Sequence, residues 1–178
     1  MQSALLLPVP AAETAVGPHR ARLDLSARDG VPAHITVLYP FLPPAEIRPD
    51  VLAELSRLFA GAPRFSFTLD RVRWFDESVV WLGPSDESPF RALTALASAA
   101  YPSCPPYGGA HQDPVPHLTI GDDGDVTELR AAAEAVRPLL PIAAAATEVT
   151  LMTGPDPRRQ LGLRPPGPWQ TVAAFPLG

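Results

Sequence analysis

His34-Ile35-Thr36-Val37-Leu38 and His117-Leu118-Thr119-Ile120 are two copies of one phrase, a His-x-Thr triplet set among apolar residues. In an extended strand alternate side chains share a face. His34 and Thr36 therefore point one way, and Ile35 and Val37 the other. His117 and Thr119 are set against Leu118 and Ile120 in the same manner. Four His and ten Thr in 178 residues would give roughly 0.2 such triplets by chance. A single His-x-Thr is ordinary strand sequence, with Thr favoured for its β-branch. Two copies in matching apolar settings predict two strands that bring two imidazoles and two hydroxyls to one cleft over an apolar core. That equipment suits acid–base chemistry on a phosphate.

Turn and breaker residues divide the rest of the chain. Ala4–Val9 reads as a first strand closed by Pro8 and Pro10, and residues 11–25 as a helix interrupted at Gly17-Pro18. Ala33–Tyr39 is the first motif strand. Arg48–Ala60 carries Val51, Leu52, Leu55, Leu58 and Phe59 at helical spacing and stops at Gly61 and Pro63. Phe65–Phe75 and Ser78–Leu82 form a hairpin about Asp76-Glu77. Pro89–Ala100 is a helix with Ser88 as its N-cap. Tyr101–Pro116 is a long Pro-rich loop running into the second motif. Asp122–Asp125 is an acidic turn, Val126–Leu140 an Ala-rich helix and Ile142–Thr153 a strand. Arg158–Leu163 and Trp169–Phe175 are closing strands. Strand and helix signals recur on both sides of the central hairpin, which predicts two similar halves with one motif each.

At 178 residues one compact domain spanning 1–178, of two lobes, is expected. The apolar fraction of 46% is ordinary for a chain with a real core. The 24 Pro cluster between apolar segments rather than in one tail, as stiff loops do. All 14 basic residues are Arg, which excludes Schiff-base chemistry and a Walker-type phosphate loop, both of which need Lys. A net charge of −5 disfavours long DNA as a partner and leaves a small nucleotide or an RNA terminus. Cys104 is the only cysteine, so no intrachain disulfide is expected. Ala4–Leu7 is too short and lacks the basic flank of a signal peptide, and no apolar stretch approaches a membrane span. The expectation is a cytoplasmic monomer without membrane contact.

With its following residues the first motif reads His34-Ile35-Thr36-Val37-Leu38-Tyr39-Pro40-Phe41, and the second, with its preceding residue, Pro116-His117-Leu118-Thr119-Ile120. The pair resembles the two signatures of the 2H phosphoesterase superfamily, most closely its bacterial 2′-5′ RNA ligase-like branch. The resemblance runs from Ala4 to about Phe175. It implies a bilobal α+β fold, with two antiparallel sheets around a central cleft, helices outside and pseudo-twofold symmetry. It also implies metal-independent chemistry on 2′,3′-cyclic phosphates, related cyclic nucleotides or 2′-5′ linkages. His34, His117, Thr36 and Thr119 match the family's four motif positions.

Cleaving a phosphodiester needs a base for the attacking hydroxyl and an acid for the leaving oxygen, and an imidazole serves as either near neutral pH. In-line attack places the two His on opposite sides of phosphorus, while the Thr hydroxyls hold the nonbridging oxygens. For hydrolysis of a cyclic phosphate the expected base is His117 and the expected acid His34, the roles exchanging in reverse. Candidate substrate-binding residues are Arg158 and Arg159, for bidentate phosphate contact, Tyr107 in the loop before the second motif, and Trp81 for base stacking. Strand aromatics such as Trp74 and Trp81 more often belong to the core. Tyr39 falls on the strand face opposite His34, and Arg71 and Arg73 on an exposed face. Asp122, Asp123 and Asp125 read as a turn and helix cap, and His111 as a surface residue. The His spacing has no metal-ligand pattern, so no metal and no cofactor are expected.

Three other functions compete with this one. A 2′-5′ RNA ligase or 2′-5′ linkage hydrolase uses the same residues. A non-catalytic RNA- or nucleotide-binding module would not need two titrating groups. A metal-dependent hydrolase would lose activity to a chelator.

Overall fold

The computed structural model describes residues 1–110, 113–155 and 168–178. Strands β1 (Gln2–Pro8), β2 (His34–Leu38), β7 (Glu148–Gly154) and β8 (Gln170–Pro176) form one antiparallel sheet in the order β2-β1-β7-β8. Strands β3 (Phe65–Phe75), β4 (Val79–Pro84), β5 (Leu118–Gly121) and β6 (Ile142–Ala146) form a second, in the order β5-β4-β3-β6. Each motif strand is thus an edge strand of its own sheet, and the edges β2 and β5 approach one another. The helices are α1 (Glu13–Leu23), α2 (Leu25–Arg28), α3 (Pro49–Ala60), α4 (Ser88–Ala100) and α5 (Val126–Val136). The expected α+β architecture of two antiparallel sheets with helices is present.

Strand alternation places the motifs as expected. Ile35, Val37, Leu118 and Ile120 are buried at 4% exposure or less, whereas His34, Thr36, His117 and Thr119 are half-buried. The helices behind the motif strands are exchanged between halves. Helix α4 packs on β2, and α1 packs on β5. Phe90, Leu93 and Ala97 form the buried stripe of α4, at the three- and four-residue spacing of one helix face. One contiguous apolar core consequently runs from Leu5 and Val37 through Phe90 and Leu93 to Leu118 and Ile120. Each fully buried Leu or Phe in it contributes about 1.5–3 kcal/mol, so neither motif strand moves without disturbing the other's support.

Local structure departs from the sequence reading at four places. Helix α1 passes through Gly17-Pro18 without a break; burial of Ala15, Val16, Arg20 and Leu23 on its inner side outweighs the lost backbone donor of Pro18. Ser88 is the first residue of α4 rather than its N-cap, and its N–H and hydroxyl both donate to Asp86. The Ala-rich helix ends at Val136 and continues as a short 3-10 turn, Arg137–Leu139, at Pro138. The single strand expected over Ile142–Thr153 divides at Thr147 into β6 and β7, which belong to different sheets. Both pieces are apolar and β-compatible, so only the competition for partners, β3 against β1, separates them. The closing strand expected over Arg158–Leu163 lies outside the described residues.

Candidate active site

Both motif histidines are held by the same device. His34 Nδ1 donates to the Pro32 carbonyl at 2.7 Å, and His117 Nδ1 donates to the Val115 carbonyl at 2.7 Å. A carbonyl only accepts, so Nδ1 carries the hydrogen and Nε2 presents its lone pair when the ring is neutral. The backbone beneath His34 is itself tied down. Ala33 N–H donates to Glu13 Oε1 at 2.6 Å, and the Ala33 carbonyl accepts from Val9 N–H at 2.8 Å. His117 is walled by aromatic rings instead, Phe75 at 5.0 Å and Trp81 at 5.7 Å between centroids.

The two imidazoles share a cleft of about 200 Å³, lined also by Thr36, Tyr39, Tyr107, Asp29, Asp122 and Trp169. Desolvation lowers the basicity of both rings. At His34 the effect is large: burial, then the Arg20 charge and last the His117 ring, bring its pKa down to about 4. Arg20 is itself buried at 2% exposure and paired with Asp24 at 2.8 Å. Asp24 in turn accepts from Ser26 N–H at 2.8 Å and from the Ser26 hydroxyl at 2.7 Å. This buried ion pair forms a rigid charged support under the first motif.

Tyr107 stands over the first motif strand. Its N–H donates to the Tyr39 carbonyl at 2.5 Å, and its side chain hydrogen-bonds that of Thr36. The loop before the second motif thereby reaches the first. Tyr39, expected on the opposite face from His34, lines the cleft, and its hydroxyl donates to Gln2 Oε1. The cause is a register shift. Leu6 pairs with Thr36 but Leu5 with Leu38. Val37 and Leu38 are therefore both buried, and alternation resumes one residue late. A matching shift separates the pairs Trp81–Thr119 and Val80–Gly121 on the other sheet.

Trp81, expected as a stacking platform, is only 3% exposed and lies outside the cleft lining. Its ring stacks on Phe75 at 4.7 Å and backs His117, so it offers no free face to a base. Thr119 shares its sheet face, being its direct cross-strand partner. Arg158 and Arg159 lie outside the described residues, as does His111. Among the described residues no three His, Cys, Asp or Glu side chains gather as a metal site, and no helix is long and apolar enough to cross a membrane. Trp169 is the cleft residue that the sequence reading missed together with Asp29 and Asp122. A Cβ on Gly154 would lie 2.3 Å from the Trp169 ring, so the bare glycine backbone is what lets that ring sit against β7. Asp122 follows His117 by five residues as Tyr39 follows His34, a spacing that strand alternation alone assigns to the opposite face.

A family profile described as the 2′-5′ RNA ligase superfamily matches residues 8–157. The chain belongs to that superfamily. Its enzymes act on phosphodiesters, and both motif strands fall inside the matched segment. Solved structures agree on the fold. Escherichia coli LigT, complexed with 3′-AMP, is 22% identical with a TM-score of 0.59, the match covering 99% of this chain and 97% of that one. The TT0787 protein of Thermus thermophilus is 18% identical with a TM-score of 0.60, covering 99% and 98%. A structure described as a phosphoesterase is 24% identical with a TM-score of 0.56, covering 99% and 98%. No curated protein matches the chain.

Proposed function

We propose that the protein is a metal-independent phosphoesterase that opens 2′,3′-cyclic phosphates, or related diesters at a nucleotide or RNA end, by His/His general acid–base catalysis. The observation that carries this reading is the matched pair of imidazoles, each with Nδ1 committed to a carbonyl and Nε2 open, lining one cleft. In the forward step a neutral imidazole takes a proton from water as the water oxygen bonds to phosphorus. The other imidazole, protonated, gives its proton to the ribose oxygen as the P–O bond breaks. The product is a phosphomonoester, and the two rings end with their protonation exchanged. The Thr36 hydroxyl in the cleft lining, and that of Thr119 beside Trp81 at the edge of it, are the proposed donors to the nonbridging oxygens.

The charge environment favours His34 as the base, because its pKa is brought down to about 4 and a ring so depressed stays neutral. His117, lowered by desolvation alone against its Val115 hydrogen bond, then carries the proton. This reverses the assignment expected from the sequence. Small-ligand sites commonly enclose about 300–1,000 Å³, so a cleft of about 200 Å³ suits one nucleotide unit rather than a chain. The complexes of the similar LigT with 3′-AMP and ATP support a nucleotide ligand. Tyr107 is the proposed substrate contact on the first lobe. The same reading takes residues 1–178 as one bilobal domain that acts as a monomer in the cytoplasm. Joining or opening a 2′-5′ linkage is the same transfer with a ribose hydroxyl in place of water, and membership of the superfamily favours testing it in parallel.

The deciding assay is turnover of 2′,3′-cyclic mononucleotides in excess EDTA by wild type, His34→Ala and His117→Ala. Wild type is expected to give a single monophosphate isomer, and each variant to lose about 100-fold or more in kcat/KM. A wild type inert on cyclic and 2′-5′ linked substrates, or variants as active as wild type, would overturn the reading.

A further inference from the structure

Arg73 differs from the other described arginines. Each of those pairs with a carboxylate or donates to a carbonyl. The Arg73 guanidinium instead stands over the Trp81 ring, 6.0 Å from its centroid, and the residue is exposed. Register fixes where this charge lies. Arg73 is the direct cross-strand partner of Trp81, and Trp81 that of Thr119. Directly opposed residues share a sheet face, and Thr119 shares its face with His117. One face of the second sheet therefore runs from the second motif across Trp81 to Arg73. Gly83 makes room on it: a Cβ there would lie 3.2 Å from the Trp81 ring and 3.8 Å from Arg73 Cδ. Arg71 stands opposite Gly83 on the same face, but Asp70 at 2.8 Å offsets its charge. Adjacent strands lie about 4.8 Å apart, so roughly 10 Å separates the Thr119 and Arg73 backbones. One nucleoside bridges such a span between successive phosphates.

We infer that Arg73 holds the internucleotide phosphate next to a terminal 2′,3′-cyclic phosphate, so that the preferred substrate is the 3′ end of an RNA strand rather than a free cyclic nucleotide. The inference rests on the phosphoesterase reading and adds a second phosphate site to it. The cyclic phosphate enters the histidine cleft, and the chain leaves over Trp81 along the sheet face. A guanidinium fork matches two nonbridging phosphate oxygens, and an aromatic ring beneath it steadies the fork while its N–H edges stay open to a ligand. An internucleotide phosphate carries one negative charge and needs a cation that no carboxylate already holds. Arg73 meets that condition among the described residues. The net charge of −5 keeps such binding local, to the last linkage of a strand rather than to a long polyanion.

The test compares kcat/KM, in excess EDTA, for three substrates: 2′,3′-cyclic AMP, the adenosine dinucleotide ending in a 2′,3′-cyclic phosphate, and that dinucleotide with a neutral methylphosphonate linkage. Wild type is expected to prefer the charged dinucleotide about tenfold over both others. Arg73→Met keeps the apolar stem over Trp81 and removes the charge. It should bring the two dinucleotides to within about twofold of one another. For the charged dinucleotide it should also reduce the slope of log kcat/KM against log salt by about 0.7, which a merely structural role for Arg73 would not do. A wild type that turns over cyclic AMP and both dinucleotides equally well, or a preference that survives in Arg73→Met or with the neutral linkage, overturns the Arg73 site and leaves the phosphoesterase reading standing. A folded wild type inert on all three overturns the site together with the cyclic-phosphate reading on which it rests.

Discussion

Trp81 and the His117 imidazole meet in an edge-type contact, with centroids 5.7 Å apart and planes inclined at 61°. The tryptophan is 3% exposed, and Phe75 stacks on it at 4.7 Å while meeting His117 itself at 5.0 Å. Two aromatic rings thus exclude water from one flank of the second motif histidine, and burial is the first cause of its lowered basicity.

Trp81→Leu should therefore raise the pKa of His117 toward the ordinary histidine value of 6.5, by admitting water. Loss of the buried ring should also cost about 3 kcal/mol of stability. Titration of the His117 Cε1–H signal by NMR checks the first, and urea unfolding the second. An unmoved His117 titration in a variant that has lost stability would show that the ring packs without tuning the imidazole.

Acid should destabilise the fold through His34. Its folded pKa of about 4 lies below its ordinary 6.5. Between those values the unfolded chain binds a proton that the folded chain refuses, so stability falls as pH falls through this window. The contribution is on the order of 1–3 kcal/mol, present above pH 6.5 and gone below about 4. Thermal melts of wild type and His34→Gln across this range should converge in acid.

The same depression sets the pH dependence of catalysis. In free enzyme kcat/KM rises as the base loses its proton and falls as the acid loses its own. With His34 near 4 and His117 below 6.5, the profile should be a bell with its maximum on the acid side of pH 6.5. The two limbs belong to the coupled pair rather than to either ring alone. A rate on 2′,3′-cyclic AMP that climbs steadily to pH 9 would remove the two-histidine mechanism.

Tyr107 and Thr36 hydrogen-bond through their side chains although 71 positions separate them in the chain. Denaturant unfolding of Tyr107→Phe, Thr36→Val and the double variant should give a coupling energy of about 1 kcal/mol. On the proposed reading, in which Tyr107 contacts the substrate, Tyr107→Phe should raise KM for a cyclic nucleotide several-fold with little change in kcat.

Much of the site was written into local sequence. Strand periodicity is two, so His34 and Thr36, and His117 and Thr119, had to share a face once their segments were extended. Their apolar neighbours then anchored that face to a core, and the helical stripes of α3 and α4 were readable for the same reason at a different period. Asp125 capping α5 was legible too, because its reciprocal bonds with Glu128 are local.

Tertiary structure decided the rest. A register shift inserts one residue against a partner strand, and nothing within Val37-Leu38-Tyr39 specifies it; the partner residues Leu5 and Leu6 do. That slip turned Tyr39 toward the histidines. The break at Thr147 is likewise a choice between β3 and β1 as partners, made by strands far away in sequence. Asp122 and Trp169 joined the cleft only when α1 packed on β5 and β8 paired with β7. The chain's own periodicity determined which side chains point together. Long-range pairing determined which of those faces meet, because pairing energy lies between strands and not within one.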